Sequence, residues 1–384
     1  MQGTGMMLAC LIAASASATA IFVLRRVAVP LGLADDPCDR KRHQGSVPLV
    51  GGIAMFIGLL AGELCYGKGS LFGHVLLGTT GVLVALGALD DRFDLSVRAR
   101  LLVQITVILT VIAGTGIYIH TLGHLFGYEV ELGWAGIPFT VIAVIGLLNA
   151  FNLMDGIDGL AGGLTLVSIG AISLFVGSSV GYGTKMLMAL MTAAALPYLA
   201  VNLGFVGRKI FMGDAGSMGI GFLLAWTLIR LSQLPRTSLS PVDVLWCVAL
   251  PVVDTFAVMY RRMRQHQSPF KPDRGHIHHL LMDIGLSSRG TLVALIALAS
   301  SIAFLGSVTR SFGLGSGSNL ATFCIFAVVY TLWVTRLHAR QLARKQPVAR
   351  NQAANDDHVA DVLRMPQRQI GTDSGDMAPP EAAE

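Results

Sequence analysis

Long apolar stretches separated by short polar segments dominate the sequence. A helix that spans a bilayer needs roughly 17–25 mainly apolar residues. Eleven such stretches lie at about 4–24, 48–66, 71–89, 101–119, 134–150, 159–177, 184–204, 216–232, 242–260, 291–309 and 318–336. Several carry small residues at close spacing, such as Gly216, Gly219 and Gly221, which let neighbouring helices approach closely in lipid. The pattern predicts an all-α fold, a polytopic membrane bundle of about 11 transmembrane helices.

Composition agrees with a membrane protein. The 384 residues are 53% hydrophobic and 13% charged, with a mean hydropathy of +0.64, whereas a soluble domain has about 25% charged residues. The net charge of +5 does not indicate nucleic acid, because the basic residues cluster at the ends of apolar stretches. The five cysteines form no C-x-x-C pair, so neither a disulfide framework nor a zinc site is indicated.

The distribution of lysine and arginine predicts the orientation. If the first helix starts outside, only Lys68, Lys185, Arg230, Arg236 and Arg310 of the 28 basic residues face outside. This bias predicts an outside N-terminus and a cytoplasmic C-terminus.

The two ends of the chain are interpreted separately. The first stretch could be a signal peptide, but Arg25 and Arg26 follow it rather than precede it, which favours an uncleaved helix. We therefore expect a transmembrane domain over 1–336. The polar segment 337–384 has no apolar periodicity and is predicted to be a mostly disordered cytoplasmic tail.

Five polar clusters lie on the segments predicted to face inside. They are 35–48, with Lys41 and His43; Asp90-Asp91-Arg92-Phe93-Asp94; 149–160, with Asn152, Asp155 and Asp158; 211–217, with Asp214; and 261–279, with Arg264, His276, His278 and His279. Ionisable residues at the edge of a membrane are costly to desolvate and usually mark function. A functional centre at the cytoplasmic face is therefore predicted.

Structural explanations compete for some clusters. The basic first loop could serve topology alone, and Asp214 could equally be a helix N-cap. The histidines lack both the H-x-x-x-H spacing of a zinc helix and a nearby cysteine. In contrast, Asp155 and Asp158 would share a face of a helical segment, and a plain connector needs neither.

Acids that can hold Mg²⁺ and basic groups that can hold phosphate suit phosphoryl transfer. The sequence has no G-x-x-x-x-G-K-[ST] loop, so we expect the attacking group to come from the bilayer. A lipid phosphate is largely ionised near pH 7 and does not require a strong general base.

The chain resembles the polyprenyl-phosphate N-acetylhexosamine-1-phosphate transferases, a glycosyltransferase 4 group. The motifs that carry the resemblance are RKRHQGSVPLVGGI from Arg40, GALDDRFD from Gly87, NAFNLMDGIDGL from Asn149, FMGDAGS from Phe211 and MYRRMRQHQSPFKPDRGHIHHLL from Met259. The peptidoglycan branch of this family typically has lysine shortly after its aspartate pair, where this chain has Asp94. Together with the basic loop, this difference disfavours a MurNAc-pentapeptide substrate.

The resemblance implies transfer of GlcNAc-1-phosphate from UDP-GlcNAc to undecaprenyl phosphate in a bacterial inner membrane, with Mg²⁺ or Mn²⁺ as cofactor. The product would enter a cell-envelope pathway such as O-antigen synthesis. The implied catalytic residues are Asp90, Asp91, Asp155, Asp158, His278 and His279. The implied substrate contacts are Lys41, His43, Asn152, Asp155, Asp158, Arg264 and His276. The implied metal ligands are Asp214, Asp90 and Asp91.

Several alternatives stay open. A sister transferase could use another UDP-N-acetylhexosamine, and an ion-coupled transporter also carries Asp and His in its helices, although usually near the bilayer midplane. The run from Asp90 to Asp94 fits the D-D-x-x-D motif of prenyl-diphosphate synthases, which are soluble proteins. The oligomeric state is open, a homodimer included.

Overall fold

The computed structural model describes residues 2–35, 45–66, 70–177, 180–234, 239–268, 275–313 and 315–364. Within these ranges the chain forms thirteen α-helices. They are α1 Gln2–Val27, α2 Gly51–Tyr66, α3 Leu71–Phe93, α4 Val97–Thr115, α5 Gly136–Met154, α6 Leu160–Val176, α7 Tyr182–Asn202, α8 Gly213–Gln233, α9 Pro241–Cys247, α10 Ala249–Arg264, α11 Ile277–Asp283, α12 Ser288–Ser311 and α13 Ser316–Arg364.

Two short antiparallel strand pairs accompany the helices. The strands are β1 Ala34–Asp35, β2 Val47–Pro48, β3 Thr121–Leu125 and β4 Tyr128–Glu131. β1 pairs with β2, and β3 pairs with β4. A parallel bridge between Leu49 and Phe211 joins the segment before α2 to the segment before α8.

The structure confirms the predicted class, a polytopic helical membrane protein. Eight helices in the described ranges are long and apolar enough to cross a membrane, and the bent pair α9–α10, with an angle of 85°, would make a ninth. α2 and α6 are shorter apolar helices. Each of the eleven predicted stretches therefore falls on a helix or on the bent pair, while the number of spans and the orientation stay predictions.

Helix α8 is packed inside the bundle, and 89% of its most apolar 18-residue stretch is buried. Small residues permit this packing, as the sequence predicts. A Cβ on Gly52 of α2 would lie 2.0 Å from the backbone nitrogen of Gly216, and one on Gly87 of α3 would lie 2.4 Å from the Cα of Ala215. On the α5 side, a Cβ on Gly221 would lie 2.9 Å from a backbone Cα. The N-terminus of α8 is thus held by backbone contact.

The last helix differs from the prediction for the tail. The chain divides into two compact units, Met1–Leu337 and His338–Glu384. Helix α13 continues to Arg364, although a mostly disordered segment is predicted from residue 337. The segment is rich in Ala, Arg and Gln, which favour helix locally. The functional division of the chain at this point stays a prediction.

Candidate active site

The acids of the second and fourth clusters meet where α3 ends and α8 begins. The Asp91 carboxylate accepts hydrogen bonds from the backbone nitrogen of Asp214 at 2.9 Å and of Ala215 at 3.5 Å. Gly213 allows this approach, because it has φ +72° and a Cβ there would lie 2.4 Å from Asp91 Oδ2. Asp91 therefore caps α8, where the helix dipole favours an anion. The capping role considered for Asp214 belongs to Asp91.

Arg100 connects two of the acids. Its Nη1 lies 2.5 Å from Asp90 Oδ2 and 3.7 Å from Asp214 Oδ2. The other oxygen of Asp90 accepts from the backbone nitrogen of Leu95 at 2.8 Å. Only 3% of the Asp90 side chain is exposed, so its two oxygens are already committed to protein donors.

Asn152 fixes the Asp214 side chain from α5. Its Nδ2 donates to Asp214 Oδ1 at 2.8 Å and also lies 3.0 Å from Ser217 Oγ. Asp214 is half-buried and is therefore oriented but still open to a ligand. The predicted proximity of the Asn152 and Asp214 clusters is observed in the structure.

The loop between α5 and α6 adds Asp155 and Asp158. Asp158 forms an ion pair with Lys209, which comes from the segment before α8. Buried Asn202 holds the same two segments together. Its Oδ1 accepts from the backbone nitrogen of Gly159 at 2.6 Å, and its Nδ2 donates to the carbonyl of Ile210 at 2.8 Å.

His278 reaches this loop, and His276 and His279 lie beside it. A Cβ on Gly156 would lie 2.1 Å from His278 Nε2, so glycine is needed for the histidine to reach the loop. The His278 ring stacks on His276 at 6.0 Å and lies 4.2 Å from the His279 ring. His276 Nδ1 lies 2.8 Å from the carboxylate of Asp254. The structure thus brings the third and fifth clusters together.

His278 is neutral near pH 7 and has an unpartnered nitrogen. Burial lowers the pKa of His278 well below its usual range, and the neighbouring His279 and His276 add to the effect. No group in the described part of the chain bonds to its buried Nδ1. A buried polar atom without a partner costs free energy, so a ligand that bonded there would remove that cost.

Other predicted site residues lie elsewhere or outside the described ranges. Arg264 is exposed and lies 6.0 Å from the ring of Tyr260, whereas Arg261 beside it is buried and donates to the carbonyl of Gly275 at 3.1 Å. Lys41 and His43 lie in residues 36–44, outside the described residues. The roles assigned to these side chains stay predictions.

The carboxylates raise the proton affinity of Asp155. Burial raises the pKa of the Asp155 carboxyl to about 7, and the negative charges of Asp214 and Asp91, followed by Asp158, act in the same direction. No lysine or arginine in the described ranges forms an ion pair with it. The folded state therefore holds a proton on Asp155 that the unfolded state releases near pH 4.

We expect this proton to make stability fall as pH rises between about 4 and 7. A raised carboxyl pKa means that the native state binds more protons in this window, so each increase in pH favours unfolding. Asp155→Asn removes this group's contribution and should reduce the slope with which the unfolding temperature in detergent falls as pH rises. Asp94→Asn, at an exposed position near the same site, is the control. Equal slopes for wild type and Asp155→Asn would contradict the expectation.

Several residues of the site are absent from the sequence predictions. The charge distribution treats Arg100 and Lys209 only as basic residues on inside segments, although both form ion pairs with predicted site acids. Asp254 interrupts the predicted span 242–260, and an ionisable residue inside a span usually marks function. Asp254 could therefore have been identified from the sequence. The ion-pair partners of Arg100 and Lys209 could not, because residue spacing does not show which side chains meet.

The fold and the site define a multi-pass membrane enzyme. The chain matches glycosyl transferase family 4 over residues 74–232. It is 45% identical over 289 residues to the undecaprenyl-phosphate alpha-N-acetylglucosaminyl 1-phosphate transferase of Yersinia pestis, covering 74% of this chain and 79% of that protein. The protein of the same name from Haemophilus influenzae is 36% identical over 328 residues, covering 84% and 92%. The chain belongs to glycosyl transferase family 4, and the predicted resemblance is confirmed.

Proposed function

We propose that the protein transfers GlcNAc-1-phosphate from UDP-GlcNAc to undecaprenyl phosphate and releases UMP. A lipid phosphate oxygen attacks the sugar-bearing phosphorus, and the bond from this phosphorus to the oxygen of the uridine phosphate breaks. The observation that carries the proposal is the meeting of three side chains around one short loop. Asn152 orients Asp214, Asp155 lies among other carboxylates, and His278 Nδ1 has no partner among the described residues. The names of the similar proteins agree with this reaction.

The donor set suits a divalent cation. Mg²⁺ typically takes one or two carboxylates and completes its shell with phosphate oxygens and water. Among the described residues, no three His, Cys, Asp or Glu side chains form a ready metal cluster, so a substrate phosphate would be part of the shell. We propose Asp214 as the principal ligand, with Asp155 beside it once Asp155 has released its proton, and Mn²⁺ as a substitute. Bound there, the cation would neutralise charge that develops on the diphosphate.

The remaining residues bind and orient. We propose that the His278 and His279 imidazoles contact phosphate oxygens, and that Asn152 keeps Asp214 in its rotamer. Asp158, paired with Lys209, would contact the nucleotide. Asp90 accepts one hydrogen bond on each oxygen, which supports a role in holding Arg100 near Asp214. Its role as a metal ligand stays a prediction.

Location and pathway belong to the same proposal. The charge distribution favours an inner-membrane protein with this site on the cytoplasmic face, where a nucleotide sugar would reach it. The product would then begin a lipid-linked polysaccharide such as O-antigen. A homodimer stays a prediction.

UMP release by purified protein in detergent tests the reaction. Undecaprenyl phosphate would be combined with UDP-GlcNAc, UDP-GalNAc or UDP-MurNAc-pentapeptide, each with Mg²⁺ or with EDTA. We expect release with UDP-GlcNAc only, and only when both the lipid and Mg²⁺ are present. Release with UDP-GalNAc alone would favour a sister transferase. No release with any donor from folded protein would reject the transferase and direct attention to transport.

A further inference from the structure

Asp254 is an acid inside the bundle that no polar cluster of the sequence includes. It lies in α10, in the bent pair, and is fully buried. Burying a carboxylate is expensive unless it is hydrogen-bonded, and within a spanning segment such residues usually serve function. Its partners therefore indicate what it does.

Three groups contact the Asp254 carboxylate. Oδ2 lies 2.8 Å from His276 Nδ1, and Oδ1 accepts from the backbone nitrogen of Ile277 at 3.1 Å and from the Tyr330 hydroxyl at 2.9 Å. An ionised carboxylate can only accept hydrogen bonds. His276 Nδ1 must then carry hydrogen, and in the neutral ring Nε2 is left as the acceptor.

Asp254 thus controls both the orientation and the tautomer of His276. Which ring nitrogen of a neutral histidine carries the hydrogen is determined by the hydrogen bond that one of the nitrogens makes. The His276 ring is nearly parallel to that of His278, with 9° between their planes. A rotation of His276 would therefore disturb the histidine that touches Gly156.

We propose that Asp254 is a positioning residue for the transfer reaction, with Tyr330 holding it in place. It would fix His276 with the lone pair of Nε2 directed away from Asp254, ready to accept a hydrogen bond from a hydroxyl or amide N–H of the substrate. The inference rests on the proposed function, in which the imidazoles face the bound substrate. It adds two residues from the membrane interior to a site otherwise built at helix ends.

A purely structural role for Asp254 is the competing explanation. The bond to Ile277 also caps the start of α11, and Tyr330 ties α13 to α10. The two roles separate in Asp254→Asn. The amide oxygen can still accept from Ile277 and Tyr330, but the amide nitrogen donates toward His276 Nδ1 and favours the opposite tautomer.

The test combines UMP release with nitrogen-15 NMR of histidine-labelled protein in detergent. His276→Gln identifies the His276 signals. We expect Asp254→Asn to convert the ring from the Nδ1–H to the Nε2–H form and to lower kcat by about 10² or more, as when a carboxylate that orients a catalytic histidine becomes an amide. The unfolding temperature should change much less than kcat.

Asp243→Asn is the matched control. Asp243 is also buried and accepts from Arg310 at 2.5 Å and Asn319 at 3.0 Å, without a histidine. We expect its activity per folded molecule to stay within about twofold of wild type, since a removed hydrogen bond acts mainly on stability.

Each outcome decides the inference. An unchanged tautomer in Asp254→Asn, or wild-type activity despite a changed tautomer, would overturn the positioning role. An equal loss of activity in Asp243→Asn would overturn it too, because general destabilisation would then explain both variants. Absence of UMP release by wild type would reject the transferase instead, since the tautomer measurement does not depend on turnover.

Discussion

Asp214→Asn should lower kcat for UMP release by about 10²–10³, the effect typical of removing one electrostatic contact to the transition state. The substitution keeps the size of the side chain, and the amide oxygen can still accept from Asn152. It removes the negative charge that would hold a divalent cation. The measurement is steady-state UMP release at several Mg²⁺ concentrations, with bound UDP-GlcNAc measured separately.

Asp94→Asn provides the control for Asp214. Asp94 is exposed and ends α3 with φ 49°, a left-handed conformation that asparagine also tolerates. The activity of the Asp94→Asn variant should equal that of wild type. If Asp214→Asn retained activity at every Mg²⁺ concentration, Asp214 would not be the ligand. A loss in Asp94→Asn would revive the D-D-x-x-D interpretation of residues 90–94.

Arg100→Gln should destabilise the protein by about 3 kcal/mol, because it leaves the charge of buried Asp90 without its partner. Breaking a buried ion pair on one side costs more than removing both charges. The double variant Asp90→Asn with Arg100→Gln should therefore recover part of the loss. Denaturant unfolding in detergent is measured for Arg100→Gln, for Asp90→Asn and for the double variant.

Arg98→Gln is the control for Arg100. Arg98 is exposed on the same helix, two positions earlier, and exposed charges contribute little to stability. Its unfolding free energy should match wild type. Additive effects of the Asp90 and Arg100 substitutions would contradict coupling between these two side chains.

The sequence was sufficient to predict the helical bundle and to nominate most residues of the candidate site. Periodicity and length predicted the membrane helices, since a span must be apolar along its length. Asp155, Asp158 and Asp214 stood out because acids at a membrane edge are costly. Small residues such as Gly216 indicated close helix packing. In the structure, Gly216 packs against Gly52.

The different contacts that the individual acids make could not be predicted from the sequence. Asp90 and Asp91 are adjacent, yet one pairs with Arg100 and the other caps α8, because neighbouring side chains on a helix point in different directions. The role of Arg100 depends on how α4 turns back after α3. The position of Asp254 depends on a bend of 85° between α9 and α10, and a hydropathy pattern does not reveal such a bend.

The glycine contacts around α8 limit how the protein can move during turnover. Sliding between helices relies on layers of side chains that can repack, and at Gly52 and Gly87 backbone meets backbone instead. We therefore expect the Asp214 end of the site to stay rigid during turnover, and adjustment to the substrates to come from the α10–α11 side, which carries the histidines. On this expectation, an inhibitor that binds beside Asp214 would meet the same shape at every step of the reaction, whereas one that binds the histidines would favour one step.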